Sequence, residues 1–192
     1  MSKGREKPSL NTLSREMLEF HEVDGLLGEL NGGSDRGAAI AGAAMVDQVL
    51  IFQLMEVMHP FTREEFLEMF FDTRAILQTM AARIDLSYAL KLNDKETVAH
   101  LHTVRRIRNA FAHATKPITF SNNLILKECK KLPTPDLASD PDIAHLSEQR
   151  RIYTAICVGT YSFFHQREPK ANNYDITRKY LSSSAVDLAE NA

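Results

Sequence analysis

The stretch from Thr103 to Ala114 constrains the fold most, because its apolar and polar residues separate only if it is helical. With 3.6 residues per turn, its apolar residues share one face, which consists of Val104, Ile107, Phe111 and Ala114. A second stripe on the same helix carries His102, Arg106, Asn109 and His113. Arg108 borders the apolar face, and Arg105 lies beside the polar stripe. Because a buried unpaired guanidinium is costly, this helix either carries a site or is held by a buried polar network.

Apolar residues recur at helical spacing along most of the chain, whereas strand signals are almost absent. Helices are expected over residues 13–30, 36–58, 62–71, 75–92, 95–114, 123–132 and 142–166. Ser34 or Asp35, the pair Thr62 and Glu65, and Asp94 are suitable N-caps for three of them. The glycine- and alanine-rich start of the second helix allows a neighbouring helix to approach closely. The buried side of the last helix is expected to hold Ile152, Ala155, Ile156, Val158, Gly159, Tyr161, Phe163 and Phe164. The fold class is therefore all-α, a single-domain helical bundle of six to seven helices.

Composition divides the chain into three parts. Residues 1–10 are polar and expected to form a flexible N-terminal tail, and residues 11–166 are expected to form the helical domain. Residues 167–192 are a polar C-terminal tail, with a short helical turn expected at Tyr174–Leu181. A chain of 192 residues is long enough for one domain with a sizeable core.

Charge and residue usage limit which cellular compartment and which class of partner can be expected. A net charge of −2 gives no general attraction for nucleic acid, so direct nucleic-acid binding is not expected. No signal peptide is evident, and the longest apolar stretch, Ala38–Met58, is interrupted by polar residues, so no membrane span is expected. Cys129 and Cys157 form no CxxC pattern, which indicates reduced thiols in a cytoplasmic protein and leaves a disulfide as the alternative. No set of His, Cys, Asp and Glu has metal-ligand spacing, so we expect neither metal nor cofactor.

Several charged residues fall within otherwise apolar helical stretches and point to a structural polar network. The expected members are Asp47, Arg83, Asp85, Arg105 and Arg108. Asp47 is expected to face an arginine rather than water. At least one of the two acids is expected within salt-bridge distance of Arg105 or Arg108.

Four segments together carry a resemblance to a known family. In chain order they are Gly42–Asp47, Ala82–Leu90, Ile107–His113 and Phe120–Leu132, followed by a final helix from near Arg150. They resemble the mannitol operon repressor (MtlR-like) family over roughly residues 20–166. The resemblance implies an all-helical domain in transcriptional control that works through protein partners and lacks its own DNA-reading element. No helix-turn-helix is evident here either, since the basic cluster is only Arg105, Arg106 and Arg108.

The sequence Arg108-Asn109 followed by His113 also resembles the active-site signature of HEPN domains. That resemblance implies a ribonuclease, usually a dimer, in which His113 handles the proton of the ribose 2′-hydroxyl and Arg108 binds phosphate without a metal. The alternative is structural, because five residues advance a helix by about 500° and leave the two side chains about 140° apart. Convergence on one phosphate requires the helix to end or distort near Ala112, or a second chain to complete the site.

Three functions are compatible with these patterns. The favoured one is a non-catalytic MtlR-like transcriptional (co)repressor that acts through protein–protein contacts. The second is a HEPN-type, metal-independent endoribonuclease with Arg108, Asn109 and His113 as its catalytic residues, and only this function involves RNA. The third is an antitoxin or immunity protein that binds and neutralises a toxin. A protein partner is expected for the first and third, and the oligomeric state is left open, with a dimer compatible.

Overall fold

The computed structural model describes residues 18, 22–58, 61–72, 74–134 and 143–166. Within these ranges the chain forms seven helices and no strand, which confirms the predicted all-α bundle. The helices are α1 (Val23–Gly32), α2 (Asp35–Val57), α3 (Arg63–Phe71), α4 (Met80–Ala89), α5 (Lys95–His113), α6 (Asn123–Cys129) and α7 (Glu148–Gln166). The predicted tails and the turn at Tyr174–Leu181 lie outside the described residues.

Short-range capping explains where several helices begin. Ser34 accepts a hydrogen bond from the Gly37 amide at 3.0 Å and caps α2. Thr62 and Glu65 form the predicted capping box before α3, with the Thr62 amide donating to Glu65 Oε2 at 2.7 Å. Asp94 caps α5 by accepting from the Thr97 amide, also at 2.7 Å. These caps depend only on neighbours in sequence, which is why the pattern predicted them.

The predicted start of the fourth helix at residue 75 was wrong. The helix begins at Met80, where the Thr79 hydroxyl accepts from the Ala82 amide. Before it the chain forms turns, in which the Ala75 amide donates to the Asp72 carbonyl. The Thr79 cap sets the start of the helix, although apolar residues at helical spacing continue toward residue 75.

Helix α2 lies at the centre of the bundle and contacts α1, α4, α5 and α7. The main core consists of buried residues of α2, of four other helices and of the 118–120 linker, among them Val46, Leu50, Ile84, Ile107, Phe111, Phe120, Ile125 and Tyr153. A β-carbon added at Gly42 would lie 3.2 Å from the Cys157 sulfur and 3.3 Å from the Tyr153 ring. The predicted close approach at the glycine-rich start of α2 is thus confirmed, and α7 is the helix that makes it.

Length and hydropathy alone qualify α2 as a membrane-spanning helix, contrary to the expectation from its interrupting polar residues. Of its most apolar window, 72% is buried inside the described fold. The polar residue Asp47 at its middle forms a salt bridge with Arg83. These features are those of a central core helix.

Helix α7 buries a narrower face than the sequence indicated. Tyr153, Cys157, Tyr161 and Phe164 are buried, and Tyr153 and Cys157 lie against Gly42 of α2. The predicted burial of Phe163 was wrong, because this ring is 68% exposed. Apolar residues on opposite sides of one helix cannot all face the same core. The side of α7 that carries Tyr153 packs against α2, so Phe163 stays exposed.

Candidate functional site

The strongest polar cluster in the described structure centres on Arg83, which is 3% exposed. Its Nη1 atom donates to Asp47 Oδ2 at 2.5 Å, and its Nε donates to the Leu77 carbonyl at 2.7 Å. Nη2 donates to the carbonyls of Phe70 at 2.9 Å and Gln78 at 3.2 Å. One guanidinium therefore ties α3 and the α3–α4 connection to α2. The expectation that Asp47 faces an arginine is confirmed.

The predicted pairing of Asp47 or Asp85 with Arg105 or Arg108 was wrong. Asp85 lies 3.1 Å from His102 Nε2, and Asp47 belongs to Arg83. The reason is the register of α5, which runs antiparallel to α2: Asn93 contacts Gln53, and the Ala114 carbonyl accepts from Arg36. This register places Arg105 and Arg108 opposite the first half of α2, before Asp47.

The HEPN-like residues do not converge within one chain. Arg108 Nη1 donates to the neighbouring Asn109 Oδ1 at 2.9 Å. His113 is exposed and makes no hydrogen bond or ion pair with any described residue. Helix α5 stays regular through His113, its last residue, so Arg108 and His113 remain about 140° apart around the axis. Asn109 and His113, which lie four residues apart on the polar stripe, make no hydrogen bond with each other, and Asn109 bonds to Arg108.

Within the polar stripe of α5, Arg106 is anchored to α6. Arg106 Nε donates to Glu128 Oε2 at 2.9 Å, and its Nη2 donates to the Thr103 hydroxyl at 2.8 Å. Lys131 pairs with the other oxygen of Glu128. The Lys131 hydrogen bond, together with Arg106, lowers the pKa of Glu128. Arg106 and Glu128 therefore hold two helices together at the surface.

A second buried arginine, Arg150, was missed by the sequence analysis. Its Nη2 donates to the carbonyls of Leu30 and Gly33, both at 2.7 Å, and its Nη1 lies 3.1 Å from Asp35 Oδ1. The other oxygen of Asp35 accepts from the Phe120 amide at 2.8 Å. This cluster joins the α1–α2 turn to α7 and to the α5–α6 linker. Its partners are more than 80 residues apart in sequence, so no local pattern reveals them.

The two cysteines, Cys129 and Cys157, are free, as their spacing indicated, and both are buried. Burial raises the pKa of Cys129 to about 11 and that of Cys157 to about 12. The thiolate is the reactive form of cysteine, so neither thiol is suited to act as a nucleophile near neutral pH.

A concave surface, which we call the α7 groove, opens between α2, the α4–α5 turn and α7. Its volume is about 710 Å³, and its walls include Gln53 of α2, residues 91–94, and Ile156, Gly159 and Phe163 of α7. Within this groove the side-chain Nδ2 of Asn93 donates to Gln53 Oε1 at 2.9 Å. The groove lies on the side of α7 that the core leaves open, which accounts for the exposure of Phe163.

No group of three or more His, Cys, Asp and Glu residues able to hold a metal occurs among the described residues. No protein-family model, curated protein or solved structure matches this chain. The assignment of function therefore depends on the residues themselves.

Proposed function

We propose that this protein is a non-catalytic regulator that acts through protein–protein contacts, as an MtlR-like transcriptional corepressor without a DNA-reading motif. One observation carries the proposal: the residues that resemble the family hold α2, α4 and α5 together. Asp47 and Arg83 form the buried salt bridge, and Ile84, Ile107 and Phe111 are completely buried in the shared core. These positions specify a fold and leave the surface free to bind a partner.

The arrangement of α5 argues against the ribonuclease alternative for the single chain. In a metal-independent ribonuclease, the general base and the phosphate-binding side chain must both reach the same phosphodiester group of the RNA. Here Arg108 is bonded to Asn109, and His113 lies on a different side of a regular helix. The free, buried cysteines are compatible with the proposed cytoplasmic location, where thiols stay reduced.

The catalytic alternative is tested by an RNA cleavage assay in EDTA. We expect wild type and His113→Ala to be equally inactive on single-stranded and structured RNA, with His100→Ala as a matched control on the same helix. Circular dichroism establishes that each variant is folded. Metal-independent cleavage that disappears in folded His113→Ala and persists in His100→Ala would overturn the proposal.

The regulatory role is tested by tethering the chain to a heterologous DNA-binding domain upstream of a reporter gene. We expect the fusion to lower reporter expression, whereas the untethered chain neither represses nor retards the same DNA in a gel-shift assay. Repression by the untethered chain together with a gel shift would show that it reads DNA itself. An antitoxin would leave the tethered reporter unchanged, and that result would also count against corepression.

A further inference from the structure

Two arginines of α5, Arg105 and Arg108, lack a charged partner. Both residues are half-buried, and neither forms an ion pair with any other residue that the structure describes. Arg105 Nε is buried without a hydrogen-bond partner, and the hydrogen bond of Arg108 goes to the neutral amide oxygen of Asn109. Residues three apart on a helix are neighbours, so the two guanidinium groups form one cationic pair. Because a buried donor without an acceptor is costly, this pair favours the binding of an anion.

Exposed apolar residues of α2, Ile40 and Ala44, lie on the side of the bundle that carries α4. They precede Asp47 by seven and three residues and so share its side of α2. Asp47 in turn bonds to Arg83 of α4. Helix α4 begins only at Met80, level with the middle of α2, and Ile40 is 42% exposed. The first half of α2 therefore leaves an apolar strip open beside the amino end of α4, whose dipole adds positive potential.

The cationic pair lies next to this apolar strip. The antiparallel register of α2 and α5 sets Arg105 and Arg108 opposite the first half of α2, which contains Ile40 and Ala44. His102 pairs with an acid of α4 and precedes Arg105 by three residues, so Arg105 lies on the α4 side of α5. We call the surface formed by Ile40, Ala44, Arg105 and Arg108 the α2–α5 notch.

We infer that the α2–α5 notch binds an acidic amphipathic helix of the partner protein, with carboxylates on Arg105 and Arg108 and apolar side chains on Ile40 and Ala44. A guanidinium binds a carboxylate through two parallel hydrogen bonds, and carboxylates three residues apart on a helix match the spacing of the arginines. The apolar strip favours a helix over a nucleic acid, because a phosphate backbone is bound by charge and hydrogen bonds. This inference rests on the proposed regulatory function and names the surface that performs it.

The direct test uses a blocked helical peptide of three Leu-Glu-Ala-Ala-Glu-Leu-Ala repeats, which places glutamates three apart beside leucines on one face. Titrated into the ¹⁵N-labelled full chain, it is expected to shift the side-chain Nε–H signals of Arg105 and Arg108 and the backbone signals of Ile40 and Ala44. The matched peptide with glutamine in place of glutamate is expected to bind about tenfold more weakly. Absence of binding, equal binding of the two peptides, or shifts scattered outside the notch would overturn the inference.

Charge variants separate binding in the notch from general effects on the fold. The double variant Arg105→Gln with Arg108→Gln loses no ion pair of the described fold, so it is expected to fold and to bind the glutamate peptide about tenfold more weakly. Lys95→Gln is the matched control, because it removes an exposed cation of α5 outside the notch. Circular dichroism establishes that each variant is folded. Undiminished binding of the glutamate peptide by the folded double variant contradicts the inference.

Other occupants of the notch would give different results. A single-stranded RNA that shifts the same Nε–H signals and displaces the glutamate peptide would show that the notch binds a phosphate backbone instead. Sedimentation equilibrium tests a second copy of this chain as the occupant. Self-association of wild type that the double variant loses would mean that the notch joins two copies, and either result would overturn the inference.

The reporter assay distinguishes failure of this inference from failure of the proposed function. If tethered repression persists in the double variant, the notch is not the docking surface although the chain is a regulator. If wild type does not repress at all, the proposed function itself is wrong. Loss of repression in the double variant, with repression retained in Lys95→Gln, supports both.

Discussion

Replacing Arg83 by methionine is the sharpest test of how the bundle is held together. Methionine keeps an unbranched stem against the rings of Phe70 and Phe71, over which the guanidinium lies at 5.9 and 5.8 Å from the ring centroids. The change removes the hydrogen bonds to three backbone carbonyls and leaves Asp47 without its cation. We expect it to destabilise the whole domain.

The magnitude follows from burial. Removing one partner of a buried ion pair costs about 3–5 kcal/mol, and hydrogen bonds from a charged donor contribute about 1.5–3 kcal/mol each. The Asp47 side chain is 24% exposed as a whole, but its Oδ1 atom is buried without a hydrogen-bond partner, so the expected loss is about 3–4 kcal/mol. Against a total stability of about 5–15 kcal/mol, this change lowers Tm by about 6–16 °C.

Asp47→Asn is the matched variant, because the amide oxygen still accepts from Arg83 and the three carbonyl bonds remain. It is expected to cost about 1–2 kcal/mol. Adding Asp47→Leu to Arg83→Met removes the unpaired carboxylate, so the double variant is expected to be more stable than Arg83→Met alone.

Urea unfolding followed by circular dichroism at 222 nm measures all four proteins, with the m-value checking that unfolding stays two-state. The reasoning is refuted if Arg83→Met lies within 1 kcal/mol of wild type. It is also refuted if Asp47→Asn costs as much as Arg83→Met, since the carbonyl bonds would then contribute nothing.

Three further predictions concern the α4–α5 turn and the thiols. Lys91 has a left-handed backbone with φ of 57°, so Lys91→Gly is expected to raise stability by about 0.5–1 kcal/mol in the same urea assay, and unchanged or lower stability would contradict it. Cys129 and Cys157 are expected to react with Ellman's reagent at pH 8 only after unfolding, and fast labelling of the native protein would contradict their burial. An unfolded thiol loses its proton near pH 9, whereas folded Cys157 keeps it until about 12. The free energy of unfolding therefore falls as pH rises through this window, and Cys157→Ala should flatten that fall.

Local chemistry accounts for what the sequence predicted well. The caps at Ser34, Thr62 and Asp94 involve residues three positions apart, so each is visible in a short stretch. The seven helices follow from apolar periodicity in the same way. The need of Asp47 for a cation was also predictable, because a carboxylate in an apolar helix must be paired.

Register between helices accounts for what was missed. The sequence shows that Asp47 needs an arginine, but it does not show which arginine. The choice between Arg83 and Arg108 depends on the register between α5 and α2. Arg150 looks like an ordinary helix-start residue until the α1–α2 turn lies against it. Phe163 was assigned to the core because apolar residues occupy more than one side of α7, and only packing decides which side is buried.

The contact between Asp35 and Arg150 also has a consequence for biosynthesis. The two residues are 115 positions apart, and α7 is the last described helix to cover α2. At about 5–20 residues per second, a ribosome completes α2 roughly 5–19 s before it reaches Arg150. During that interval the nascent chain exposes a helix apolar enough for a membrane. A chaperone that shields apolar segments is therefore most valuable to this protein before its final helix emerges.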